Sequence, residues 1–362
     1  MPQRVVDPFL LLAIAEGCDE APVEALLQPD LDPEQLLREP PSDLPPRVLR
    51  RLGDPGLRTR AEAMQAQATV LGLHVLTPSH PQYPARLQEA PLRPLLLFAR
   101  GNVAALHEQR LHVAVVGSRT PTPYGRAAAT DFAGALARAG VVLWSGLARG
   151  IDAEAHGQSV LSKVPGVAVL AGGLDAIYPP EHGKLAADLV ASSGCLLSEA
   201  PPGLVARRGH FPRRNRILAG ACTAVLVVEA GLGSGSLITA RCGADAGATV
   251  FAVPGPYGSE RSRGCHRLIA DGGQIAVEPA ELLRELGLQP APSGEVALQL
   301  QCSADEQALL SALQSGPRPS DLAMRESGLE RATFLRALMS LRTRGQVRVM
   351  PGDLLALGNA PR

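Results

Sequence analysis

A chain of 362 residues that is 46% hydrophobic and 19% charged is not a disordered protein, and it can bury a large core spread over more than one domain. Its 35 basic and 35 acidic residues cancel to a formal charge of zero, so any surface for a polyanion must come from local arrangement. The basic residues are almost all Arg, with Lys only at Lys163 and Lys184; Arg suits bidentate phosphate contacts, and a GC-rich genome would produce the same bias.

Six cysteines, Cys18, Cys195, Cys222, Cys242, Cys265 and Cys302, include no C-x-x-C pair. That spacing argues against structural zinc, and no metal is expected. The N-terminus has no basic segment ahead of an apolar core, and no stretch reaches the ~18–20 apolar residues of a membrane span. A soluble protein of the reducing cytoplasm, with no membrane partner, is the expectation.

Residues 1 to about 70 read as short helices broken by prolines. DPFLLLAIAEG has helical apolar spacing and stops at Gly17, while PVEALLQ, PEQLLRE and PPRVLRRLG each put Pro near a helix start. This predicts a small, SAM-like all-α module over 1–70. From 71 to 287, apolar runs alternate with longer helical patterns. The predicted strands are HVAVVG (112–117), VVLWSG (141–146), VAVLAG (167–172), CLLSEA (195–200), AVLVVEA (224–230) and TVFAVPG (249–255). Near-continuous apolar strands are buried on both faces, which predicts an α/β fold with a doubly wound, mostly parallel, Rossmann-like sheet. Ligands of such sheets bind beyond the carboxyl ends of the strands, where the tails GSR, SGLARGID, AGGLD, SEAPP, EAGLGSGS and PGP all fall. Residues 288–302 read as a linker. From 303 to 362, a capping box at Ser303 and Glu306, a stripe of Leu335, Leu338 and Met339, and two strands around Pro351-Gly352-Asp353 predict a winged helix.

Four motifs carry the chemistry. Gly117-Ser118-Arg119 offers a tight turn, a hydroxyl and a charged fork. Ser145-Gly146-Leu147-Ala148-Arg149-Gly150 keeps its loop low enough for a ligand to approach the backbone, and Asp152 behind it is expected to cap the next helix. Residues 203–220 hold Arg207, Arg208, Arg213, Arg214 and Arg216 around Phe211 and Asn215, with no acid. An aromatic ring among arginines suits single-stranded nucleic acid, whose bases stack while guanidiniums track phosphates; a solvated basic helix start with Phe211 in the core reads equally well. Gly231-Leu232-Gly233-Ser234-Gly235-Ser236 opens a helix whose N–H groups can receive an anion. It is neither a Walker loop nor a dinucleotide fingerprint, so no cofactor is expected.

In this order, GSR, SGLARGIDAEAH, RNRILAG, VVEAGLGSGSLITA and VFAVPGP closely resemble the DNA-processing protein A family (DprA, also called Smf). The resemblance spans about residues 71–287, and HPQYPARLQEAPLRPLLLFARG (80–101) is similar to the family's lead-in to the sheet. It implies an extended Rossmann-like domain without catalysis that binds and protects single-stranded DNA. It implies loading of the RecA recombinase during natural transformation, a single-strand-binding protein as a further partner, and a homodimer. By motif, Gly117, Ser118 and Arg119 would hold phosphate, with Ser145, Gly146, Ala148, Arg149 and Gly150 as a second cradle. Phe211 would stack a base, Arg213, Arg214, Asn215 and Arg216 would line the pocket, and Gly235 and Ser236 would donate from the other side. Two departures stand out: Gly264-Cys265-His266 replaces the usual Gly-x-Asn, and the pocket uses Arg where many members have Lys.

Two other readings compete. A nucleoside-phosphate hydrolase on a similar sheet would use Glu181, Glu199 or Glu229 as a base, or Ser145, Asp152 and His156 as a triad. The order of Glu229 before Gly231, and the absence of a G-x-S-x-G elbow, weigh against it. Alternatively the winged helix reads duplex DNA through Arg331, Arg336, Arg342, Arg344 and Arg348.

Overall fold

The computed structural model describes residues 6–17, 23–28, 30–106, 109–289, 303–314, 316–343, 346–350 and 353–357. The chain divides into two compact units, Met1–Gln289 and Pro290–Arg362.

The first unit begins with four helices: α1 (Pro8–Glu16), α2 (Pro33–Arg38), α3 (Pro46–Leu52) and α4 (Leu57–Val70). The first three carry Pro in the opening turn, where a missing N–H costs nothing. Asp7 caps α1 by accepting from the Phe9 amide at 2.8 Å, and Asp32 caps α2. The expected PVEALLQ helix is only a 3₁₀ turn over Glu24–Leu26. Leu10, Leu12, Ala15, Leu26 and Val48 share one apolar core with Leu95, Phe98, Leu170 and Leu196 of the segment that follows. The helices therefore lie against the sheet within a single unit.

That segment runs β1 (His74–Leu76), α5 (Ala85–Glu89), β2 (Leu97–Gly101), β3 (His112–Val116), α6 (Pro123–Arg138), β4 (Val142–Ser145), α7 (Ile151–Ser162), β5 (Gly166–Leu170) and α8 (Gly183–Ala191). It continues with β6 (Cys195–Ser198), α9 (His210–Gly220), β7 (Ala224–Val227), α10 (Gly235–Asp245), β8 (Thr249–Ala252), α11 (Arg263–Ala270), β9 (Gln274–Ile275) and α12 (Pro279–Glu285). The strands form one sheet in the order β1-β2-β6-β5-β4-β3-β7-β8-β9. Every pair from β6 to β9 is parallel; β1–β2 and β2–β6 are antiparallel. All six predicted strands are present, and β1, β2 and β9 add to them.

Alternation along β3 sends Val113 and Val115 to a core with Phe132, Leu136 and Ile151, while Ala114 and Val116 meet Trp144, Ile217 and Leu218 on the other face. Both faces are thus covered, as near-continuous apolar strands require. The helix after β3 leaves to the first face and the helix after β7 to the second. Adjacent strands whose connections part in this way open a crevice at their carboxyl ends. Among the described residues no helix is long and apolar enough to cross a membrane.

The second unit contains α13 (Ala304–Leu313), β10 (Arg318–Pro319), α14 (Ser320–Ser327), α15 (Arg331–Thr343), β11 (Val347–Met350) and β12 (Leu354–Leu357). It is a winged helix with an antiparallel β10-β12-β11 sheet. The Ser303–Glu306 capping box closes in both directions. The expected stripe on α15 is corrected: Leu338 is buried, but Leu335 and Met339 are 46% and 68% exposed. Phe334, Leu338 and Leu341 face the core instead, at the i, i+4, i+7 spacing of one helix face. Arg344, the Pro351-Gly352 turn, Cys18, Cys302 and linker residues 290–302 lie outside the described residues.

Candidate nucleic-acid interface

The loop after β3 is pressed against its neighbours. A Cβ on Gly117 would meet Ile151 Cγ1 at 2.7 Å and the Glu229 carbonyl at 3.0 Å, so only glycine fits. The Ser118 amide donates to the Glu229 carbonyl at 2.7 Å, and the Ser118 carbonyl accepts from Ile151 N at 3.2 Å. The Ser118 amide is thus already engaged; its hydroxyl, the group expected to meet phosphate, is partly exposed and accepts from Thr120 N.

The loop after β4 locks onto the first. Gly150 has φ +78°, and a Cβ there would strike the Ser118 carbonyl and Pro121 Cδ. Gly150→Ala combines a left-handed backbone with overpacking, so it is expected to cost at least about 1–3 kcal/mol, read as a lowered urea midpoint at unchanged m. Gly150, not Asp152, is the N-cap of α7, and it makes no side-chain cap. Asp152 instead reaches back from the first helical turn and accepts from Gly146 N at 3.1 Å and Ala148 N at 3.2 Å. Those two amides point inward, away from any ligand.

Beneath this loop lies Arg214. It is 6% exposed and donates to the carbonyls of Gly146, at 2.8 Å, and Val169. Burial lowers its pKa to about 10, Asp152 opposes that fall, and the guanidinium stays charged at neutral pH. Burial raises the Asp152 carboxyl, against the pull of Arg214. The triad reading fails here. The Ser145 hydroxyl is buried and donates to the Val115 carbonyl at 2.7 Å, and burial pushes the enclosed His156 down to about 3, leaving it neutral.

Arg213 and Arg216 are also turned inward. Arg213 holds both oxygens of Glu199, with Nε at 2.8 Å and Nη2 at 3.0 Å, and Arg216 Nη2 adds a third contact at 2.7 Å. Burial opposes the charge on Glu199, yet Arg216 and Arg213 keep its carboxyl below the usual range. Glu16 at the end of α1 stands 3.4 Å from Arg213; burial, aided by the charge of Glu199, raises its pKa. Asn215 donates to the Gly235 carbonyl at 3.3 Å and ties α9 to the start of α10. Arg213, Arg214 and Arg216, expected to line the pocket, are nearly enclosed, and Arg213 and Arg214 border a narrow cavity with Glu199 and His210. Residues 213, 214 and 216 on one helix facing the core need buried acids and carbonyls, and the fold supplies them from a distance.

What remains at the surface is narrower. Exposed Arg119 sets its Cζ 5.1 Å above the centre of the Phe211 ring, within cation–π range. Tyr178, 54% exposed, meets the same ring edge to face, with centroids 6.0 Å apart. Sequence reasoning missed Tyr178: it lies beyond the AGGLD tail in irregular chain, and no periodicity marks it. It also missed Arg261, whose Nη1 reaches Thr120 Oγ1 at 2.8 Å and Ser118 Oγ at 3.4 Å. Exposed Arg149 pairs with Glu181 at 2.5 Å. Ser234 Oγ lies 2.6 Å from Ser236 Oγ and accepts from Ser236 N, so part of the Gly235-Ser236 donor set is engaged. His266, at the departure from Gly-x-Asn, pairs with the Gly255 carbonyl at 3.0 Å.

The three carboxylates weighed as bases all have partners. Glu199 and Glu181 hold arginines, and Glu229 accepts from Thr122 Oγ1 at 2.5 Å and from Thr122 N, fixing the start of α6. Among the described residues no cluster of three His, Cys, Asp or Glu can hold a metal ion.

The family DNA recombination-mediator protein A matches this chain over residues 74–287, and the DprA winged helix domain matches it over 289–353. The chain is 38% identical over 300 residues to Protein Smf of Escherichia coli (strain K12), covering 79% of this chain and 78% of that one. The X-ray structure of DprA from Streptococcus pneumoniae superposes with a TM-score of 0.61 at 29% identity, over 78% of this chain and 94% of that one. DNA processing protein A from Helicobacter pylori, described for its single-stranded DNA binding mode, superposes with a TM-score of 0.52 at 27% identity, over 59% and 95% of the two chains. With its sheet and its tail both matched, this chain belongs to the DNA recombination-mediator protein A family.

Proposed function

We propose that this protein binds single-stranded DNA along the carboxyl edge of its sheet and loads the RecA recombinase onto it during natural transformation. The observation that carries this reading is the cluster of exposed Arg119 and Tyr178 around half-buried Phe211 at the crevice: a stacking surface beside a cation that no carboxylate neutralises among the described contacts. In this role Arg119 and Arg149 meet phosphates and Phe211 and Tyr178 hold a base. Gly117, Ser118, Ser145, Gly146, Ala148, Gly150, Gly235 and Ser236 shape the floor, and Arg213, Arg214, Asn215 and Arg216 brace it from below. The protein acts without catalysis, as a cytoplasmic homodimer that meets a single-strand-binding protein on the same DNA. We assign residues 1–70, 71–287, 288–302 and 303–362 as helical module, binding domain, linker and winged helix.

RecA ATPase on single strands pre-coated with single-strand-binding protein tests the mediator role. A shortened lag with wild type but not with Arg119→Ala is expected; an unchanged lag with wild type would limit the protein to binding. A second expectation concerns Arg149. Glu181→Gln removes its competing carboxylate and should tighten single-strand binding by less than about fivefold at low salt, since the pair is exposed. Arg149→Ala should weaken it, and fluorescence anisotropy reads both.

A further inference from the structure

A second aromatic stands on the same edge of the sheet. Tyr257, beyond β8, is fully exposed, and Leu232, beyond β7, is more than half exposed. Between them and α11 opens a depression that also meets Glu260, Arg263, His266 and Arg267. Arg263 and Arg267 pair with Glu260 at 2.8 Å and Asp271 at 2.9 Å. Such exposed pairs are weak, and a phosphate can replace the carboxylate.

The loop that carries Tyr257 also reaches the loop of Arg119. Arg261, from the same loop as Tyr257, bonds Thr120 Oγ1 and Ser118 Oγ beside Arg119. In the sheet order β5, β4, β3, β7, β8, the loops present Tyr178, Arg149, Arg119, the 231–236 loop and Tyr257 in succession. At ~4.8 Å per strand, those four steps cover roughly 19 Å. The chain between the two aromatics is open: a Cβ on Gly233 or Gly235 would meet nothing within 4 Å. A ring, two exchangeable guanidiniums and an open glycine crest repeat the chemistry that holds a single strand by stacking and charge.

We propose that the strand path continues past Arg119 to a second stacking station, where Tyr257 takes a base and Arg263 and Arg267 take phosphates. This rests on the single-strand reading above. It assigns a separate role to a loop that the motif series did not include.

The test is anisotropy of the full chain on a labelled oligo-dT of about 20 nucleotides, with a stoichiometric titration for site size. Tyr257→Ala, whose ring is in solvent, should leave the melting temperature unchanged and lower affinity at least about fivefold, with a smaller site size. Tyr257→Phe should restore both. Arg263→Ala with Arg267→Ala should shallow the log–log salt slope by about 1.4, two phosphates at ~0.7 each. Unchanged affinity in Tyr257→Ala, beside a loss in Phe211→Ala, would overturn the second station and leave the single-strand reading standing. No binding by wild type would overturn both. Altered sedimentation in Tyr257→Ala at unchanged affinity would mark the face as a contact between protein chains and overturn the station.

Discussion

Arg214→Ala is expected to destabilise the first unit by about 3–5 kcal/mol, the cost of leaving a buried charge without its partner. The substitution strips the carbonyls of Gly146 and Val169 of their donor and leaves Asp152 enclosed without a cation. The pH dependence carries a sign. Burial already raises the Asp152 carboxyl in the native state, and losing Arg214 raises it further. A carboxyl whose folded pKa exceeds its unfolded value of about 3.9 keeps a proton that the unfolded chain releases, so stability falls as pH climbs above that value. Urea denaturation should therefore find a smaller deficit at about pH 5 than at about pH 8. A deficit that does not change across that range would show that Asp152 does not depend on Arg214.

Phe211→Ala is expected to lower single-strand affinity by roughly 5- to 150-fold, the ~1–3 kcal/mol that one stacked base contributes. The loss should be sequence-tolerant, because every base has a π-face. Phe211 also bears the Arg119 guanidinium and the edge of Tyr178, so the three should couple in a double-mutant cycle. Arg119→Ala should shallow the salt slope by about 0.7 on a log–log plot. Phe211→Ala should leave that slope in place, which separates the stacking role from the charge role in one titration series.

Much of the fold was legible because its signals are local. The six strands from 112 to 255 are apolar runs ending in glycine-rich tails, and those tails do share one edge. β1 and β9 are too short, at three and two residues, to show a period. β2 was hidden in the lead-in LLLFARG, an apolar run that periodicity alone does not separate from buried helix. The site was read less well, because its partners are distant in sequence. Arg213 and Arg216 look solvent-facing in a stretch without acids, yet Glu199 and Glu16 reach them across 14 and 197 positions. Asp152 looks like a cap until the turn before it folds back onto its carboxylate. Arg119 and Phe211, both singled out in the sequence, stand against each other at one edge; Tyr178 and Arg261 join them only through tertiary structure.

The most direct test of the account is anisotropy of a labelled oligo-dT, single-stranded against duplex, with wild type and Arg119→Ala across a salt series. Tight binding to the single strand over the duplex, falling steeply with salt and weakened in the variant, is the predicted result. Equal affinity for both forms, or a variant indistinguishable from wild type, would contradict the claim that the Arg119–Phe211–Tyr178 surface holds a single strand.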